Sequence, residues 1–304
     1  MKKLVFAVLV SVCAFACAEA AIYLKSDAQG TGDGTSWSNA YTNWNTALNA
    51  LNAIPDGGDR TLLIAGGKYD PPNDTSLVIG QGTSPNALKV TGFVVRGGYR
   101  AQSDDDFERD IDAYPTIFTP CADLGSLKWV HVEVDPETGF AGCVPGNQCA
   151  GKEKTMFVDN VFQPHPAYTG DYDTYRASAY GESNKGVKPM GVASGASGTI
   201  DGIYFVKNGY SGTSTSQRRG IVEYASSAEN WLSNCTFICT CANQGAIFEN
   251  GGRNIGYGYR HISNCRFISC KDASSGAACV HGGGNSIVED CLFEGNSGGN
   301  FLVY

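Results

Sequence analysis

Apolar residues in the last third of the chain fall in short alternating runs, with no helical spacing between them. Four segments share one pattern: Ile200-Asp-Gly-Ile-Tyr-Phe205, Leu232-Ser-Asn-Cys-Thr-Phe237, Ile262-Ser-Asn-Cys-Arg-Phe267 and Val288-Glu-Asp-Cys-Leu-Phe293. The phenylalanines stand 32, 30 and 26 residues apart, too far for hairpins. Residues two apart in a strand share a face, so each Phe points the same way as Ile203, Cys235, Cys265 or Cys291 before it. Just ahead of that pair sits Gly202, Asn234, Asn264 or Asp290. These residue types enter the left-handed region most readily, so the column reads as a one-residue bend. A second apolar column, Ile200, Leu232, Ile262 and Val288, precedes the bend.

Each copy therefore predicts strand, bend, strand. A variable polar loop follows, then a Gly-led apolar run beginning at Gly220, Gly245, Gly276 or Gly299. Three short strands per turn of roughly 25 to 32 residues describe a wound, stacked unit. The expected fold is all-β, a parallel β-helix with like columns about 4.8 Å apart. Near the N-terminus Ser38 or Thr42 is expected to cap a helix running to about Ala53, with Trp44, Ala47, Leu48 and Leu51 on one face. Laid across the first turn, this helix would close that end. The expected organisation is a single domain over 21–304, with the N-terminal cap at about 21–60, insertions over about 120–197 and regular turns over 198–304.

Several segments resemble the repeats of polymorphic outer-membrane proteins and of secreted right-handed β-helix (pectin-lyase-like) surface proteins. Phe205-Val-Lys-Asn208 and Phe293-Glu-Gly-Asn296 are FxxN motifs, and Gly245-Ala246-Ile247 approximates the GGA-hydrophobic motif. Thr240 and Cys270 replace Asn in the middle copies. The stretches Tyr23–Trp37, Ala47–Leu51, Leu62–Tyr69, Val95–Tyr99 and Pro115–Phe118 are similar to the front end of the same group. The resemblance implies that the parallel β-helix winds right-handed. It says little of function, because this fold hosts lyases, hydrolases, adhesins and inert stalks.

Residues 1–20 read as a secretory leader, with Lys2-Lys3, an apolar run from Leu4 to Ala16 and small Ala18 and Ala20 at the cut. That run is too short to span a bilayer, and no other transmembrane candidate exists. The protein is expected outside the cell or on a bacterial outer surface. Twelve cysteines, two of them in the leader, then read as disulfides or as structural thiols. Cys143–Cys149 is a plausible staple, whereas Cys235, Cys265 and Cys291 are expected to fill the interior as small hydrophobes. A formal charge of −8 argues against nucleic acid or an anionic membrane as partner. The strand that ends at Tyr304 has no cap after it, so the remainder of a longer chain is expected.

Candidate chemistry is sparse. Aligning the Gly-led strands by their ends stacks Glu223, Glu249, His281 and Tyr304, with Arg219 at the preceding junction. Neighbouring carboxylates suit a cation or an acid/base pair, a histidine suits proton transfer and a tyrosine suits sugar stacking. The competing reading is an ordinary solvated strand face. Asp104, Asp105, Asp106 and Asp110 form the densest acidic run and are weak Ca²⁺ candidates, without the spacing of a calcium loop. Asp27 and Asp33, in a Gly-rich stretch, are weaker still. The Tyr- and Asp-containing stretch over 164–180 reads as a surface loop suited to sugar or protein contacts. These features favour a structural or adhesive protein, with no cofactor, presenting a long face to a glycan or a cell-surface protein. The alternative is a polysaccharide lyase or glycoside hydrolase acting on an acidic polysaccharide.

Overall fold

The structure is a computed structural model. It describes residues 21–71, 84–119, 127–132, 153–158, 189–206, 208, 220–225, 228–238, 240–242, 245–249, 259–268, 270–272, 277–282, 286–294, 296 and 299–303. The leader, Cys143 and Cys149, and the tyrosine-containing stretch 164–180 lie outside these residues.

The chain opens with β1 (Ile22–Leu24) and its one described helix, α1 (Trp44–Ala53). It then passes repeatedly through three sheets. The first two circuits are β2 (Thr61–Ala65), β3 (Gly67–Tyr69) and β4 (Ala87–Leu88), then β5 (Thr91–Tyr99) and β6 (Thr116–Phe118). Between β6 and the strand that completes the second circuit lie β7 (Leu127–Val132) and β8 (Glu153–Val158), paired antiparallel. That completing strand is β9 (Met190–Val192). The third circuit is β10 (Ser197–Asp201), β11 (Ile203–Val206) and β12 (Val222–Tyr224). The fourth is β13 (Asn230–Ser233), β14 (Thr236–Ile238), the short β15 (Cys241–Ala242) and β16 (Ile247–Glu249). The fifth is β17 (Arg260–Ser263), β18 (Arg266–Ile268), the short β19 (Lys271–Asp272) and β20 (Ala277–Gly282). The last comprises β21 (Ser286–Glu289), β22 (Leu292–Glu294) and β23 (Gly299–Val303).

The first sheet orders β1-β2-β5-β10-β13-β17-β21, the second β3-β6-β11-β14-β18-β22 and the third β4-β9-β12-β16-β20-β23. Neighbours in all three are parallel, and β15 pairs with β19 in the same sense. The protein is thus mostly β, with parallel sheets and one helix, an arrangement compatible with an all-β parallel solenoid.

Side-chain alternation explains the register. Ile22, Leu62, Val95, Ile200, Leu232, Ile262 and Val288 align one above another across the first sheet. Slipping any strand by one residue would turn this apolar set out to water. In the second sheet Tyr69, Phe118, Phe205, Phe237, Phe267 and Phe293 align likewise. Their ring centroids follow at 5.7, 6.0, 4.9, 5.0 and 4.9 Å, close to the spacing of paired strands. Between the two sheets the chain bends through Gly202, Asn234, Asn264 and Asp290, at φ of 72°, 53°, 51° and 52°. The expected left-handed bend is present in all four copies. Its side chains form a ladder of their own: Asn264 Nδ2 donates to Asn234 Oδ1 at 2.5 Å, and Asn234 Nδ2 to Asp201 Oδ1 at 2.6 Å.

The FxxN position also has a physical role. Asn208 Nδ2 donates to the Phe118 carbonyl at 2.7 Å, and Asn296 Nδ2 to the Phe267 carbonyl at 3.0 Å. Cys270 Sγ donates to the Phe237 carbonyl at 3.6 Å, and Thr240 Oγ1 to Cys270 Sγ at 3.2 Å. Cys270 therefore keeps the donor to the preceding circuit's carbonyl where Asn is replaced, whereas Thr240 turns its hydroxyl to the Cys270 sulfur of the next circuit.

One expectation needs correction here. The N-cap of α1 is Asn43, whose side chain accepts from the backbone amides of Asn45 and Thr46, and not Ser38 or Thr42. The anticipated face, Trp44, Ala47, Leu48 and Leu51, is buried, and Pro55 ends the helix. The cysteine column behaves as expected of interior thiols. Among the described residues Cys235, Cys265, Cys270, Cys279 and Cys291 are joined in no disulfide. Cys235 and Cys265 fill the interior, and burial pushes the Cys265 thiol well above its usual range. No helix among the described residues is long and apolar enough to cross a membrane.

Candidate functional site

The column expected on the third sheet does not form. Glu223 pairs with Gly191 on one side and Phe248 on the other, while Glu249 is level with Tyr224. His281 pairs with Phe248 and Leu302. Glu223 and His281 thus share a line interrupted by Phe248, and Glu249 falls on the next. Alignment by strand ends fails because the apolar set Met190, Val222, Ile247 and Val280 fixes the register, whatever the loop lengths. Glu223 is also fully buried, so neither a ligand face nor a solvated strand describes it. Arg219 and Tyr304 lie outside the described residues.

The acidic run is a strap built from ion pairs. Asp106 accepts from Arg100 Nε at 2.8 Å and from the backbone amide of Gln102 at 2.8 Å. These bonds hold its carboxyl down to about 2. Asp104 accepts from Ser38 N at 2.6 Å and Ser38 Oγ at 2.8 Å, which lowers its pKa and ties the strap to the N-terminal loop. Asp105 takes the Ser103 hydroxyl, and Asp110 Oδ1 accepts from the amides of Asp112 and Ala113. Beyond the run Arg109 donates to the Gly97 carbonyl and pairs with Asp201 at 2.8 Å. The four candidate carboxylates are therefore engaged in fastening the strap. Asp33 is similarly occupied by Thr31 and Thr35, and Asp27 lies 3.8 Å from Lys25. Among the described residues no group of three or more His, Cys, Asp or Glu is arranged to hold a metal ion.

A different face draws attention. One residue ahead of the inward column of the first sheet, Thr199, Trp231, His261 and Ile287 align on the opposite, outer side. Trp231 is 41% exposed, whereas Trp37 and Trp44 are each 1% exposed. The Trp231 and His261 rings stack 5.3 Å apart and 7° from parallel. Glu229 Oε1 lies 2.6 Å from His261 Nε2 and fixes the imidazole beside the indole. Tyr259, 53% exposed, adds a ring 6.2 Å from His261, and Ile287 is 37% exposed. Fixed backbone registers hold the strip, so little side-chain freedom remains to be lost when something binds there. Such an arrangement can stack against the flat apolar face of a ligand while its carboxylate accepts hydrogen bonds at the edge.

The strip is masked in the sequence by the stronger apolar columns beside it. Moving the repeat alignment one position toward the N-terminus brings Thr, Trp, His and Ile into line. Alternation then assigns a tryptophan to solvent, which is the signal that would have found it.

No family model, curated protein or solved structure matches the chain.

Proposed function

We propose that this chain is a right-handed parallel β-helix, closed at its N-terminal end by α1 and exported from the cell. In this reading it is a structural and adhesive surface protein that presents the outer face of its first sheet to a glycan or a cell-surface protein. The observation that carries the reading is the strip in which exposed Trp231 and Ile287 flank half-buried His261 on strands whose opposite side is core, with exposed Tyr259 just ahead of β17. Neighbouring exposed apolar rings on one sheet face form a contiguous patch of the kind that marks interaction sites. The leader-like residues 1–20 and the resemblance to polymorphic outer-membrane protein repeats support the location and the winding. The lyase or hydrolase alternative has lost its motivating column, since Glu223 and Glu249 are out of line.

The test exposes the purified protein to an immobilised panel of glycans and surface-protein ectodomains. The same glycans are assayed in parallel for unsaturated uronate release and for new reducing ends. Binding without turnover is the expected result. Turnover of any polysaccharide would overturn the display reading in favour of an enzyme.

A further inference from the structure

Resting on that reading, we infer that the Trp231–His261 strip is a platform for an uncharged pyranose polysaccharide. Three observations point to this ligand class. The first is shape: the Trp231 ring, stacked by one face against His261 yet 41% exposed, and the Tyr259 ring, 53% exposed, each offer apolar ring surface to a ligand. A pyranose ring carries an apolar C–H face that lies flat on such a surface, while its hydroxyls point sideways to polar neighbours. Glu229, beside His261, supplies an acceptor at that edge, and exposed Glu289 lies two residues beyond Ile287 on the same side of the strand.

The second is charge. Exposed carboxylates on this part of the face are Glu229, Glu289 and the bend residue Asp290. The arginine on β17, Arg260, is buried, and farther along the sheet Arg96 lies 3.7 Å from Asp201. A polyuronate or sulfated polymer would bring its anions against these carboxylates, within a protein of formal charge −8. An uncharged sugar meets no such penalty.

The third is extent. Among the described residues the strip exposes three large side chains, Trp231, Tyr259 and Ile287, with His261 half-buried between them, whereas a stable protein interface engages about 20–30 residues on each side. The strip is sized for a few sugar rings. Its rigidity limits the ordering cost that so small a contact must overcome.

Native gel electrophoresis through separate gels containing soluble β-glucan, galactomannan or polygalacturonate tests the assignment. The chain is run as wild type and as Trp231→Ala, Trp231→Phe, Tyr259→Ala and Phe107→Ala. Phe107 is an exposed aromatic of the strap and serves as the control away from the strip. Far- and near-UV circular dichroism establishes that each variant is folded. Retardation by at least one of the two uncharged polymers is expected. Trp231→Ala should weaken it about tenfold or more, Tyr259→Ala less, and Phe107→Ala not at all, while Trp231→Phe keeps part of the affinity. No retardation by either uncharged polymer overturns the inference, as does retardation by polygalacturonate alone. If a polyuronate or protein ligand is bound and then lost in Trp231→Ala, the ligand class fails and the display reading stands. If a bound ligand is retained in both Trp231→Ala and Tyr259→Ala, this face is not the binding surface and both fail.

Discussion

Replacing Phe237 by alanine removes the ring at the centre of the stacked column. The side chain is fully buried, with Phe205 at 4.9 Å and Phe267 at 5.0 Å on either side. Neither neighbour can move into the gap without leaving its own strand register, so the lesion combines lost transfer energy with a residual cavity. A core Phe→Ala change of this kind costs about 3–5 kcal/mol. Phe293, at the last circuit, is partly buried, and the same change there should cost about 2 kcal/mol. Trp231→Ala is the comparison on the outer face, expected to cost about 1 kcal/mol because its ring is 41% exposed and its contact is the His261 stack. Urea unfolding followed by far-UV circular dichroism reads all three. In a stacked chain stability propagates between neighbours, so the central lesion should also broaden or split the transition. A Phe237→Ala cost below about 1 kcal/mol, or a Phe293→Ala cost as large, would refute a shared dry column.

Two further outcomes follow from local geometry. Gly202→Ala places a Cβ at φ 72°, against Arg109 and 2.8 Å from Ile111 Cγ2, so it should cost about 1–2 kcal/mol from the backbone alone and loosen the Arg109–Asp201 pair. By contrast, Asn234→Gly should leave the urea midpoint nearly unchanged, since glycine adopts that bend freely. Asp106→Asn tests the strap by pH. Hydrogen bonding from Arg100 holds this carboxyl down to about 2, below the unfolded value of about 3.9. The native state therefore gains stability from it above about pH 4 and loses it as pH falls through about 2. The variant should be less stable than wild type near neutrality, with the gap closing between pH 4 and 2; a pH-independent gap in circular dichroism titrations would contradict the pairing.

The bends, the phenylalanine column and the inward aliphatic column could be read in advance because one repeat specified all three. A left-handed bend admits few residue types, and the period-two alternation that follows leaves one register. The third sheet was harder. Its strands are preceded by loops of different length, so alignment by strand ends put Glu223 beside Glu249, while burial of Val222 and Ile247 sets the true pairing. Asn43 was passed over as a cap because Ser38 and Thr42 are equally good capping types, and only the backbone decides among them. The strap was visible as an acidic run, but its arginine partners come from the same loop and from distant circuits. The antiparallel pair β7 and β8 falls within the expected insertion, which lacked any repeat to align.

Hydroxyl-radical footprinting with peptide mass spectrometry tests the division between inward and outward positions most directly, on the unaltered protein. Trp231 and Tyr259 should oxidise rapidly, while Trp37, Trp44, Tyr224, Phe205, Phe237 and Phe267 stay protected. Protection of Trp231 together with oxidation of Phe237 would place the aromatic strip inside and the phenylalanine column outside, and would contradict both the register and the binding face.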